Sequence, residues 1–166
     1  PRRRGNPVPL HLCPRIPHSL VERVARMAAL ASSADSPSFS AASRRSAYRG
    51  MVAVIDDEEN MLKILTRILN VEGYHVATFK DPVAALEAIE KEPPDVALTD
   101  MRMPRMTGDV VLRRIQEIDS DIPVVIITAF GSIQGAVEAL KRGAFDFCEK
   151  PFSDNALVDR IEQAIA

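Results

Sequence analysis

The sequence predicts an α/β protein whose folded part is a doubly wound, five-stranded parallel sheet with helices on both faces, a three-layer arrangement. Two observations lead to this prediction. From Met51 onward, five short apolar runs alternate with five segments of helical periodicity. The runs are apolar throughout instead of alternating with polar residues, as expected for strands that are buried on both faces. Short connections leave room for a single domain over residues 51–166.

Each predicted strand is a short apolar run that is bounded by polar residues, glycine or proline. The five predicted strands are Val52–Ile55, His75–Phe79, Val96–Thr99, Val124–Thr128 and Ala144–Glu149. Pro123 precedes the fourth strand, where the missing N–H of proline is tolerated.

The predicted helices follow the strands, and each has one apolar face. The side chains predicted to face the sheet are, helix by helix, Met61, Ile64, Leu65 and Ile68; Val83, Leu86 and Ile89; Val111, Leu112, Ile115 and Ile118; Ile133, Ala136, Val137 and Leu140; and Leu157, Ile161 and Ala164 or Ile165. We expect Asp81, before Pro82, to cap the second helix and Ser132 to cap the fourth, which Gly143 ends.

The net charge of -2 averages two unlike parts of the chain. Residues 1–50 contain nine Arg, no Lys and only two acidic residues, a charge of +7, whereas residues 51–166 carry −9. The basic part is rich in Pro, Ser and Ala, so we expect a mostly disordered extension with one short helix at Ser19–Leu30. This extension is compatible with an arm that binds nucleic acid or membranes, or with a targeting peptide. The alternative is upstream or non-native sequence ahead of the true start, which Pro1 and the position of Met51 favour.

Composition also excludes some classes of protein. No apolar run approaches the length that a bilayer requires, so we predict no transmembrane segment and no membrane partner. The two cysteines, Cys13 and Cys148, are too few for a disulfide framework and indicate a cytoplasmic protein, with Cys148 in the core. No glycine-rich phosphate loop follows the first strand, which disfavours a dinucleotide or nucleoside-triphosphate site.

Polar and charged residues follow the strands at the edge where parallel sheets bind ligands. Asp56 and Asp57 follow the first strand, Asp100 the third, Thr128 ends the fourth, and Lys150 follows the fifth. Three converging carboxylates repel one another, and a hard divalent cation such as Mg²⁺ relieves that repulsion. A metal-bound aspartate beside a hydroxyl and an ammonium is a plausible nucleophile for forming an acyl phosphate. The alternative, that each aspartate only caps a helix, suits a single residue better than this set.

These residues belong to a pattern that resembles the receiver domain of two-component response regulators over the whole of residues 51–166. The matching segments are Val-Ile-Asp-Asp-Glu-Glu at 54–59, Leu-Thr-Asp-Met-Arg-Met-Pro at 98–104, Thr107-Gly108, Ile-Thr-Ala-Phe-Gly at 127–131 and Gly-Ala-Phe-Asp-Phe-Cys-Glu-Lys-Pro-Phe at 143–152. The resemblance implies a flavodoxin-like fold with strand order 2-1-3-4-5. The segment around residues 128–147 is most similar to receivers of sigma-54-dependent activators and related transcriptional regulators.

The resemblance also implies a metal site and a phosphoacceptor. Asp100 would accept the phosphoryl group. Asp56 and Asp57 match the acidic pair that binds Mg²⁺, together with Asp100 and the backbone carbonyl of Arg102. Lys150 matches the phosphate-binding lysine.

A switch is implied as well. Thr128 matches the switch hydroxyl and Phe147 the aromatic side chain that changes rotamer, for which simple core packing is the alternative. Phosphorylation would shift the population between two packings of the face made by the fourth helix, fifth strand and fifth helix. Phe145, Phe147 and the side of Gly131–Arg142 that carries Ala, Gln and Glu are candidate contacts for a partner or a second copy, although plain solvated surface is the expected role of any single helix residue there.

The implied partners are a histidine kinase and a second copy of the chain, with DNA bound only through an output domain that would lie beyond Ala166. The chain would then be a signalling switch that assists its own phosphorylation and dephosphorylation, and would not be a true enzyme.

Two alternatives are a phosphorylation-independent interaction module and a small hydrolase with a phospho-aspartyl intermediate. The complete set of acidic, hydroxyl and ammonium residues argues against the first, and the lack of sequence for a cap domain argues against the second.

Overall fold

The computed structural model describes residues 49–129 and 133–166. Within them lies one five-stranded parallel sheet with the order β2-β1-β3-β4-β5. The strands are β1 (Met51–Ile55), β2 (His75–Phe79), β3 (Val96–Asp100), β4 (Val124–Thr128) and β5 (Asp146–Glu149). The helices are α1 (Glu59–Val71), α2 (Pro82–Lys91), α3 (Gly108–Ile118), α4 (Ile133–Lys141) and α5 (Asp154–Ile165). The predicted fold class and strand order are confirmed.

Several expectations concern parts of the chain that the structure does not describe. They are the basic extension with its helix at Ser19–Leu30, the Ser132 cap, the segment Phe130–Gly131 and the inward orientation of the Ile133 side chain. For the described residues, no helix is both long enough and apolar enough to span a membrane.

The sheet separates two apolar layers because successive side chains of a strand point to opposite faces. On β1, Ala53 and Ile55 pack with residues of α2, α3 and α4, while Val52 and Val54 pack with residues of α1 and α5. All five residues of β1 are buried, as expected for a strand with neighbours on both sides and helices on both faces. Cys148 is buried in the second layer, so its predicted core position is confirmed.

The predicted inward face of α1 is wrong by part of a turn. The buried residues are Leu62, Leu65 and Leu69, whereas Ile64 is 49% exposed. Met61 and Ile68 lie at the border of the buried face, where they pack partly against the core. The helix carries two adjacent apolar stripes, and periodicity alone does not decide which of them meets the sheet.

Similar corrections apply to α2 and α4. Val83 of α2 and Val137 and Leu140 of α4 were expected to face inward, but they are 42%, 41% and 42% exposed. The buried side chains include small ones, Ala85 and Ala88 in α2 and Ala136 and Ala139 in α4. Alanine permits a helix to approach the sheet closely, and counting large apolar residues misses such contacts. The expected faces of α3 and α5 are confirmed, with Ile118, Ala164 and Ile165 partly buried.

Local sequence signals account for some of the element ends. The Asp81 carboxylate accepts a hydrogen bond from the Val83 N–H at 3.1 Å and caps α2 as predicted. Gly143 follows α4 with φ of +94°, a conformation that favours glycine. β5 begins at Asp146 and not at the predicted Ala144, because the Ala144 N–H donates to the Ala139 carbonyl in the last turn of α4.

The corrected face of α1 predicts a difference between two neighbouring substitutions. Leu65→Ala removes a fully buried side chain and should lower the free energy of unfolding by about 2–5 kcal/mol. Ile64→Ala removes a half-exposed side chain, so its effect should stay below about 1 kcal/mol. Urea unfolding followed by circular dichroism measures both. Equal losses for the two variants would contradict the assigned face.

Candidate functional site

The strand ends bring the predicted polar residues to one edge of the sheet. In the parallel register, Ile55 pairs with Thr99, Asp100 with Ile127, and Thr128 with Glu149. Asp56 and Lys150 each follow directly after a strand that belongs to this register. Residues that are up to 94 positions apart in the chain therefore meet at the carboxyl edge of the sheet.

Three carboxylates lie close together at this edge. Asp56 is 1% exposed and Asp100 is 8% exposed, whereas Asp57 is exposed to solvent. One carboxylate oxygen from each of the three lies within 4.8 Å of the others. Such spacing suits oxygen ligands that share one small cation.

The ammonium of Lys150 joins the two buried carboxylates. Its Nζ lies 3.3 Å from Oδ2 of Asp56 and 3.2 Å from Oδ1 of Asp100. The Lys150 backbone N–H donates to the Thr128 carbonyl at 2.7 Å, which ties this lysine to the end of β4. The lysine is thus anchored through its backbone while its side chain neutralises part of the acidic cluster.

The electrostatics of the site follow from burial. Desolvation raises the pKa of the Asp56 carboxyl, and the charge of Asp100 adds to this effect, against the opposing contributions of the Glu58 N–H and Lys150. Burial lowers the pKa of the Lys150 ammonium, but the charges of Asp56 and Asp100 outweigh it, so the net pKa shift is upward. The site therefore keeps the Lys150 ammonium charged, while burial makes the charged form of the Asp56 carboxyl less favourable than it is in water.

Backbone groups orient the two buried carboxylates. The Glu58 N–H donates to Oδ1 of Asp56 at 2.8 Å, and the Arg102 N–H donates to Oδ2 of Asp100 at 3.1 Å. The loop after β3 folds back closely, and the Gly108 N–H donates to the Met101 carbonyl at 2.9 Å. A Cβ at Gly108 would lie 2.5 Å from the Asp100 carbonyl oxygen, so only glycine fits there.

The donor set fits a hard divalent cation. Among the described residues, the three carboxylates are paired with the Lys150 ammonium, which leaves this group with an excess of negative charge. Carboxylate oxygens with one solvent-exposed side match the preference of Mg²⁺ for oxygen ligands and retained water. The role of the Arg102 carbonyl as a further ligand stays a prediction.

Thr128 and Phe147 line the same cavity, together with Met101 and Arg102, the two residues that follow Asp100. The cavity has a volume of about 320 Å³ and lies between α4 and the sheet, where Ile126, Ala136 and Ala139 also line it. Phe147 is partly buried and packs against the core, whereas Phe145 is 44% exposed. The two residues that the sequence predicts to act as a switch therefore border one cavity.

Sequence reasoning missed a polar cluster on the other side of this cavity. Arg142 pairs with Asp109 at 2.6 Å, and the Asp109 carboxylate also accepts a hydrogen bond from the Thr107 hydroxyl. The Thr107 hydroxyl, and then the charge of Arg142, hold the pKa of Asp109 below its ordinary value. Asp109 and Arg142 are 33 residues apart, and no local pattern connects them.

Known proteins share the fold and the residue pattern of this chain. Residues 52–162 match the family model described as the response regulator receiver domain. The chain is 40% identical over 114 residues to the C4-dicarboxylate transport transcriptional regulatory protein DctD of Pseudomonas aeruginosa, an alignment that covers 69% of this chain and 25% of DctD. It is 39% identical over 118 residues to the DNA-binding transcriptional regulator NtrC of Escherichia coli K12, covering 71% of this chain and 25% of NtrC. The chain spans about a quarter of these relatives.

A solved structure agrees with this match. The response regulator receiver domain protein from Clostridium thermocellum superposes with a TM-score of 0.67 at 33% sequence identity. The superposition covers 70% of this chain and 94% of that structure.

The position of Lys150 between two buried carboxylates makes a testable prediction. Lys150→Met should lower the free energy of unfolding in metal-free buffer by about 1–3 kcal/mol, because it leaves Asp56 and Asp100 without their shared counter-charge. Mg²⁺ should then stabilise this variant more than it stabilises the wild type, since the competing ammonium is gone. Urea unfolding in EDTA and in Mg²⁺ measures both effects.

Lys141→Met, at an exposed lysine in the last turn of α4, is the matched control and should change neither quantity. A Lys150→Met protein as stable as the wild type without metal would show that the lysine does not compensate the buried carboxylates.

Proposed function

Since the chain belongs to the response regulator receiver domain family, we propose that it is the phosphorylation-dependent switch of a two-component system, with Asp100 as the phosphoacceptor. One observation carries this proposal: the Lys150 ammonium lies between buried Asp56 and Asp100, with an oxygen of Asp57 within 4.8 Å of theirs. Lys150 offsets only part of the negative charge of these three carboxylates, so a role in binding a cation explains why they lie together.

The proposed donor is a phosphohistidine of a histidine kinase. A carboxylate oxygen of Asp100 forms a bond to phosphorus while the bond from phosphorus to the histidine nitrogen breaks, and the electron pair stays with the nitrogen. In this proposal Lys150, 3.2 Å from the Asp100 carboxylate, binds a phosphoryl oxygen and offsets the added negative charge. Hydrolysis of the acyl phosphate later restores the carboxylate.

Asp56, Asp57, Asp100 and the backbone carbonyl of Arg102 would hold Mg²⁺ in this site. A bound Mg²⁺ supplies positive charge that stabilises the oxygens of the transferring phosphoryl group. The two buried carboxylates are already oriented by the N–H groups of Glu58 and Arg102, so little reorganisation is required.

The proposed response is a repacking of the face made by α4, β5 and α5. The Thr128 hydroxyl donates a hydrogen bond to the phosphoryl group, and Phe147 turns into the cavity of about 320 Å³ that both residues line. Phosphorylation adds strong acceptor oxygens, so it favours the packing in which the hydroxyl reaches them. Phosphorylation of Asp100 thereby changes the shape of the α4–β5–α5 surface.

That surface is the proposed site of homodimer contact. Val137 and Leu140 of α4 and Phe145 before β5 expose 41%, 42% and 44% of their surface. We place the protein in the cytoplasm, and we place DNA binding in an output region outside residues 51–166, by analogy with the transcriptional regulators that the chain resembles.

Phosphotransfer is tested with Mg²⁺ and acetyl phosphate. The wild type should gain one phosphoryl group by intact-protein mass spectrometry, and Asp100→Asn should gain none, because an amide is not a nucleophile of this kind. Asp159→Asn, at an exposed carboxylate of α5, is the control and should be phosphorylated like the wild type. Modification of the Asp100→Asn protein to the wild-type extent would overturn the assignment.

The dimer surface is tested by sedimentation with and without beryllofluoride and Mg²⁺. The wild type should associate more strongly in the presence of both. Leu140→Arg should weaken this association by at least about tenfold, since a charge replaces an apolar contact. Ile64→Arg, a change of the same kind at an exposed position of α1, should leave association intact. Equal effects of the two variants would remove the α4–β5–α5 surface from consideration.

A further inference from the structure

Over its described side chains, residues 134–141, helix α4 has a small apolar contact with the rest of the domain. Among its described side chains, Ala136 and Ala139 are buried, while the larger Val137 and Leu140 are about two-fifths exposed. By contrast, α1 buries three leucines, and α3 buries Val111, Leu112 and Ile115. Because hydrophobic stabilisation scales with the apolar area buried, the part of α4 from residue 134 to residue 141 depends more than α1 and α3 on polar contacts for its position.

A set of polar contacts joins the carboxyl end of α4 to α3. Arg142, directly after α4, donates from Nη1 to Oδ2 of Asp109 at 2.6 Å. Gln116 of α3 donates from Nε2 to the carbonyls of Arg142 and Gly143, at 3.3 and 3.1 Å. We call the four residues Thr107, Asp109, Gln116 and Arg142 the α3–α4 clamp.

The clamp is connected to the candidate site through its Thr107 end. Thr107 donates its hydroxyl hydrogen to the Asp109 carboxylate, and the next residue, Gly108, packs directly against the backbone of Asp100. Asp109 and Arg142 also line the cavity that Thr128 and Phe147 share. The clamp thus spans the space that the proposed switch has to refill.

We propose that the α3–α4 clamp is a brake on activation, which holds α4 in the unphosphorylated packing. This inference rests on the proposed function, because it assigns a restraint to the same switch. Repacking of α4 over the cavity requires the Asp109–Arg142 ion pair and the Gln116 hydrogen bonds to break or to lengthen. Their free energy therefore favours the resting state, and weakening them shifts the population toward the activated state.

Beryllofluoride binding to the full 166-residue chain at saturating Mg²⁺ tests the brake, with amide NMR spectra as the readout. Arg142→Gln and Asp109→Asn each remove the ion pair, and Asp109→Asn keeps a hydrogen-bond acceptor for Thr107. Each variant should bind beryllofluoride about two- to fivefold more tightly, the range expected for a partly exposed ion pair. The double variant should gain no more than the larger single effect, since both changes break one interaction.

Arg114→Gln is the matched control, because it breaks an exposed ion pair with Glu117 that stays within α3. It should bind beryllofluoride like the wild type. Urea unfolding of each variant establishes that the domain is folded, and two independent ways of breaking the pair keep the test informative if one variant is unstable.

The outcomes separate the two proposals. A wild type that does not bind beryllofluoride contradicts the proposed function itself. If the wild type binds beryllofluoride and the clamp variants bind it with unchanged affinity, the brake is overturned and the proposed function stands. Weaker binding by both clamp variants also overturns the brake, because the clamp would then belong to the activated packing.

Discussion

Repulsion between two buried carboxylates is the constraint on which the site depends. Asp56 and Asp100 lie at the ends of adjacent strands and are almost inaccessible to solvent, and Lys150 lies within 3.3 Å of both. Without this ammonium, the two carboxylates would repel each other and destabilise the ionised site. The strand order places β3 between β1 and β4, with β5 beyond, and this order carries the lysine to the acidic edge. The same strand order therefore builds the apolar core and places Lys150 where it offsets the charge of the two carboxylates.

The same contacts connect the acidic edge to the α4 surface. Lys150 is tied by its backbone to the Thr128 carbonyl, and Thr128 shares a cavity with Phe147. On the opposite side of that cavity, Asp109 and Arg142 join α3 to the end of α4. Among its described side chains, residues 134–141, α4 buries Ala136 and Ala139, so a moderate change in these polar contacts can alter its position. A helix with a large apolar anchor would not respond in this way.

The sequence predicted the strands better than the helix faces. β2 and β4 have the predicted bounds, because a strand that is buried on both faces needs a run of apolar residues and leaves little choice. The faces of α1, α2 and α4 were partly wrong, as Ile64, Val83 and Leu140 show. A helix of mixed composition offers more than one apolar stripe, and the distance to the sheet selects alanine over larger residues where the backbones approach closely.

The sequence by itself determined the residues of the candidate site, since Asp56, Asp57, Asp100, Thr128 and Lys150 follow or end predicted parallel strands, and such ends share one edge. Only the tertiary structure decided how these residues touch: that Lys150 bridges the two buried carboxylates, and that Phe147 and Thr128 face one cavity. It alone brought Asp109 and Arg142 together. The physical reason is that strand periodicity and parallel topology are local rules that a sequence displays, whereas side-chain partners across helices depend on interhelical distances that no local pattern contains.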